Sequence, residues 1–147
     1  MPPHVQPSRF RLATAIFDLL DPIPFGFFVA ALIFDVVYAY SPDVQWGKGA
    51  AWLISIGLLF AIIPRLINLV HVWFIRSRPV ASVERIDFWL NLLAIVAAIV
   101  NAFVHTRDAY AVIPQGIWLS ALTVILLSAG RIILATQKVG FKEFSHE

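Results

Sequence analysis

An all-α integral membrane protein, a four-helix bundle preceded by a short amphipathic surface helix, is the fold class that this sequence predicts. Three observations carry it. Of the 147 residues, 60% are hydrophobic and only 14% are charged, against roughly 45–50% and about 25% in soluble domains. A chain this short leaves much of its surface exposed however it folds, so an apolar surplus with a mean hydropathy of +0.82 needs lipid. Four separate stretches approach the ~20 apolar residues with which a helix crosses a hydrocarbon core of about 30 Å. Basic residues and tryptophans gather near the ends of those stretches, as they do in membrane proteins. Soluble enzymes, disordered tails and nucleic-acid-binding domains fit this composition poorly.

The elements follow in chain order. Residues 1–20 read as a cytoplasmic amino-terminal segment. They begin MPPHVQPSRFRL, without the positive start, apolar run and small-residue cleavage site of a signal peptide. Phe10, Ala13, Ile16, Phe17 and Leu20 recur at helical spacing behind a capping Ser8, with Arg9 and Arg11 at the start. That pattern predicts an amphipathic helix on the membrane surface; an extension of the first span is the alternative. Residues 21–136 form the membrane domain. Its spans run from about Pro24 to Tyr40 (starting near Asp21), Ala50 to Ile75, Asp87 to His105, and Pro114 to Thr136. Ser41-Pro42-Asp43, Gly47-Lys48-Gly49, Ser77-Arg78-Pro79 and Arg107-Asp108 supply the breakers between them. Residues 137–147 read as a cytoplasmic tail.

Charge sets the expected orientation. Arg9, Arg11, Arg76, Arg78, Arg85, Arg131, Lys138 and Lys142 fall on one side, and Lys48 and Arg107 on the other. The positive-inside rule then places both termini in the cytoplasm, in the inner membrane of a bacterium. Trp46, Trp52, Trp73, Trp89 and Trp118 fall near span ends, as an aromatic belt does. The absence of cysteine excludes disulfide, iron–sulfur and thiol chemistry.

Polar groups inside a span are costly, about 2.5–3.5 kcal/mol for a charge at the bilayer centre on insertion scales. Asp87, Asn91, Ala94, Ala98, Asn101 and His105 repeat at intervals of four and three, which keeps them on one helix stripe. That stripe turns towards the other helices, where small residues and asparagines favour close packing. Phe88, Leu92, Ile95, Val96 and Ile99 form the lipid-friendly complement. The second span carries Arg65, Asn68 and His71, with Pro64 placed to kink it. Depth counted from the span ends pairs Asp87 with Arg131, and lets Arg65 reach Asn91 or a backbone carbonyl. Asp35 lies nearer the external side, where Tyr38 or a polar group of the fourth span could receive it. Ser120, Thr123 and Ser128 can bond their own helix or a neighbour.

Two readings divide this set. In one, the stripe fixes the packing, with Asp35, Asn68, Asn101 and Arg131 as structural polar residues. In the other, Arg65, His71, Asp87 and Asn91 line a cytoplasm-facing site for a quinone, a lipid head group or a proton. Bis-histidine haem ligation within one chain is disfavoured, because His71 and His105 sit about a membrane apart and His4 and His146 lie in the tails. No catalytic triad, HExxH motif, phosphate loop or metal-binding carboxylate cluster is present.

The first-span run ALIFD (Ala31–Asp35), the third-span NLLA (Asn91–Ala94) and the fourth-span LSAL (Leu119–Leu122) resemble the bacterial four-helix membrane family called domain of unknown function 2231, over about residues 21–136. The family's pattern includes histidines near the starts of the first and third helices. Here those neighbourhoods read Asp21-Pro22-Ile23-Pro24 and Arg85-Ile86-Asp87-Phe88, which weakens an inherited haem role. The resemblance implies a redox-associated membrane partner or anchor. The leading functional expectation is therefore a non-enzymatic accessory or anchoring subunit of a larger membrane or periplasmic complex, respiratory or dehydrogenase, with no cofactor of its own. The rivals are a small quinone- or haem b-binding electron carrier and a small-anion transporter. Expected partners are the lipid bilayer and other membrane subunits or further copies of the chain, and not nucleic acid.

Overall fold

The computed structural model describes residues 19–74, 82–107 and 109–144, with side chains described over 19–66, 85–107 and 111–136. Four helices account for most of it: α1 Pro22–Tyr40, α2 Val44–Phe74, α3 Ser82–Val104 and α4 Gln115–Phe144, with a 3₁₀ turn at Ala109–Val112 before α4. Each contains a segment long and apolar enough to cross a membrane: Pro22–Tyr40, Val44–Leu66, Arg85–Val104 and Gln115–Thr136. The predicted surface helix at Ser8–Leu20 lies outside the described residues except for its last two positions.

The helices close into a ring. α1 packs most extensively on α2 and α3 on α4, while α1–α4 and α2–α3 contacts complete the bundle. Phe28, Ala31, Ile54, Ala61, Ala94, Ala98 and Leu127 fill its interior. The predicted α3 stripe is the inward face, with Asp87, Asn91, Ala94, Ala98 and Asn101 all buried. Outward, Ile33, Leu59, Leu93, Val96, Ile125 and their neighbours stay exposed, as do Trp52, Trp89 and Trp118. An apolar exterior around a partly polar interior is the pattern a helix bundle adopts when lipid is its solvent.

One local feature differs from the sequence expectation. Gly47-Lys48-Gly49 is helical, so the α1–α2 link shrinks to Ser41-Pro42-Asp43. Asp43 starts α2 by accepting the Gln45 N–H at 2.9 Å, which satisfies a donor that a helix start leaves unpaired. The glycines serve packing: a Cβ on Gly49 would lie 2.6 Å from Cε1 of Phe34, and one on Gly47 would lie 3.1 Å from Cε1 of Tyr38. Two α1 aromatics therefore rest directly on the α2 backbone. Pro64 lies inside α2.

Candidate functional site

Alternation of helix direction gathers polar side chains at the two ends of the bundle. The first end takes the start of α1, the later part of α2, the start of α3 and the later part of α4. Asp21, Arg65, Asp87, Asn91 and Arg131 meet there. Asn91 is the centre of this group, because its amide is fully used. Its Nδ2 donates to the Asp87 carbonyl at 2.8 Å and to Asp87 Oδ1 at 2.9 Å. Its Oδ1 accepts from Arg65 Nη2 at 2.6 Å. Arg65 also stands 3.7 Å from Asp87 Oδ2 and 4.0 Å from Asp21 Oδ1.

Arg131 does not pair with Asp87. Its Nη2 donates to the Asp21 carbonyl at 2.6 Å and to Asp21 Oδ2 at 3.2 Å, and its guanidinium lies 5.4 Å from the Phe25 ring centre. The reason is angular. Successive helix residues are turned by about 100°, and it is Gly130 that faces α3. A Cβ there would fall 2.7 Å from Asp87 Oδ1, so the carboxylate lies against bare α4 backbone while Arg131 swings to α1. Asp87 instead finds its cation in Arg65.

Two arginines and two aspartates balance at this end. A cavity of about 30 Å³ opens beside them, bounded by Phe25, Phe28, Pro64, Ala94 and Leu127 beneath the charged groups. It has room for a water molecule or two. His71 and Asn68 belong to the α2 backbone, but their side chains lie outside the described residues.

The second end is closed. Asp35 of α1 is 1% exposed. Its Oδ1 is 2.7 Å from His105 Nε2 and its Oδ2 accepts from Ser120 Oγ at 2.5 Å. Ser120 Oγ in turn accepts from Asn101 Nδ2 at 2.7 Å, and His105 Nδ1 lies 2.9 Å from the Asn101 carbonyl. Four residues from three helices thus form one continuous chain of hydrogen bonds. A Cβ on Gly116 would lie 3.1 Å from His105 Cε1, so the ring also sits on bare backbone. Burial pulls the His105 pKa down, but the hydrogen bond and charge of Asp35, with the Asn101 carbonyl, more than reverse it and hold it above the ordinary histidine value. Both ring nitrogens are engaged by protein groups.

The sequence pattern brings Arg65, Asp87 and Asn91 together as the structure does. Asp35 reaches the fourth helix, as expected, through Ser120. Three participants lie outside the predicted site residues: Asp21, Ser120 and His105. An acid at a helix amino end, such as Asp21, is a natural partner for an arginine of a neighbouring helix. His105 ends the predicted inward stripe of α3 and does face inward; its pairing with Asp35 is what the spacing does not show.

Residues 16–134 match a family described as "Predicted membrane protein (DUF2231)". No curated protein and no solved structure matches the chain.

Proposed function

The chain belongs to the DUF2231 family of predicted membrane proteins, and from that premise we propose that it is a non-enzymatic accessory or anchoring subunit of a larger membrane-associated assembly. One observation carries this reading: the charged groups gathered at the two ends of the bundle, Asp21, Arg65, Asp87 and Arg131 at one and Asp35 with His105 at the other, are matched to one another. What they leave for interaction is the apolar exterior, where Trp52, Trp89, Phe103 and Trp118 stand more than half exposed. Such a surface meets lipid and other membrane helices. Respiratory and dehydrogenase assemblies are the class to search first, with the Arg65 end facing the cytoplasm of a bacterial cell, as the basic residues imply.

The charge pairing at that end supports this reading over the anion-transport alternative: Arg65 and Arg131 already have their counter-charges in Asp21 and Asp87. The test is purification of the chain from its native membrane at native abundance in mild detergent, with a subunit inventory and a reduced-minus-oxidised spectrum. A stoichiometric membrane complex is expected. A solitary monomer contradicts the proposal, and a haem band or extracted quinone on that monomer would transfer the assignment to electron transfer.

A further inference from the structure

The closed end contains a hydrogen-bond chain whose donors and acceptors follow from the Asn101 amide, which turns its Nδ2 to Ser120 while its Oδ1 is buried without a partner among the described residues. The Asn101 carbonyl only accepts, so His105 Nδ1, 2.9 Å away, carries a hydrogen. The amide nitrogen of Asn101 only donates, so Ser120 Oγ receives that hydrogen and directs its own to Asp35 Oδ2. One contact remains, Asp35 Oδ1 to His105 Nε2 at 2.7 Å. Without a hydrogen there, two lone pairs would oppose each other between side chains only 1% and 2% exposed. With one hydrogen the pair is neutral in sum; without it, a net negative charge is sealed among α1, α3 and α4.

We propose that Asp35 and His105 form a proton-binding site, holding one exchangeable proton between Asp35 Oδ1 and His105 Nε2. The setting favours occupancy, because an uncompensated charge in a water-poor interior is far more costly than a neutral pair. Among the described residues no other cation is paired with Asp35. Lys48 on α2 and Arg107 beyond α3 belong to this end, and neither forms an ion pair with a described residue. Tyr38 lies one turn along α1 from Asp35, and α4 contributes only Ser120, Thr123 and the bare face of Gly116. Asp35 is the one carboxylate against the ring among the described residues.

Exchange takes place from one direction. His105 follows the last residue of α3 and adjoins exposed Thr106 and Arg107. In the other direction the interior passes through Ala98, Ala94, Ala31 and Phe28, which carry no proton-transferring group. The site therefore responds to the compartment at the Arg107 end, and its proton holds three helices together.

Nitrogen-15 NMR on the full chain in lipid nanodiscs tests this, with His4, His71 and His146 replaced by Gln so that His105 is the single histidine. An infrared band for a protonated Asp35 carboxyl is followed on the same sample. At neutral pH one of the two probes should report the shared proton, and Asp35→Asn should weaken its binding by at least about tenfold. A single neutral tautomer of His105 together with no protonated carboxyl overturns the proposal. So does a titration of His105 like that of an exposed histidine. The parent chain decides the matter even where Asp35→Asn fails to fold.

Discussion

The two ends of the bundle solve one problem in opposite ways. At the Arg65 end, four charged side chains meet with exposures between 13% and 41%, beside a cavity that admits water. Its contacts are loose and overlapping: Asp21 faces both arginines, and Arg65 faces both aspartates. At the His105 end a single carboxylate is enclosed, and each hydrogen has one assigned place. Where water reaches, a charge can share partners because solvent covers any shortfall. Where water is excluded, an unmatched group bears its full desolvation cost. Substitutions at the closed end should therefore cost more than those at the open end, although the open end has more charges.

The largest effect is expected for His105→Ala, which strands Asp35 and should lower stability by about 3–5 kcal/mol, read as SDS- or heat-induced unfolding in detergent. A loss no greater than that for Arg131→Ala would break the comparison. Arg65→Leu comes next, at about 1.5–3 kcal/mol, because Asn91 Oδ1 and Asp87 lose their donor. Gly116→Ala should cost about 1–3 kcal/mol by overpacking, since Val112 Cγ1 would lie 2.8 Å from the new methyl group. Arg131→Ala should be smallest, below about 1 kcal/mol, and sensitive to salt, because its pair with Asp21 is 41% and 36% exposed.

A pH series sharpens the contrast. His105 binds its proton more tightly folded than unfolded, so its contribution is complete below the ordinary histidine value near 6.5 and is lost as pH rises through the higher folded value. Thermal stability should be greatest under mildly acidic conditions and decline above them. Asp35→Asn should flatten that decline. A slope unchanged in the variant would show that another group governs it.

Much of this was legible in the sequence, and the reasons are physical. Span length and composition exposed the four helices, because lipid imposes both. The four–three spacing from Asp87 to His105 exposed the inward face of α3. Depth counting correctly brought Arg65 to Asn91, but it paired Asp87 with Arg131, because depth carries no information about the angle around a helix. Gly47-Lys48-Gly49 has the composition of a loop, and the aromatics that occupy its glycine surface in the helix, Phe34 and Tyr38, belong to another helix. The pairing of Asp35 with His105 is hidden from the sequence for a similar reason: Asp35 and Ser120 are 70 residues before and 15 residues after His105 in the chain, and only the fold makes them neighbours.

Paired double-mutant cycles for Asp35–His105 and Asp21–Arg131, run on the full chain in the same detergent, test the contrast between the ends most directly. The account predicts a coupling of roughly 2–3 kcal/mol at the closed pair and below about 0.5 kcal/mol at the open one. Equal couplings, or a larger one for Asp21–Arg131, would contradict it.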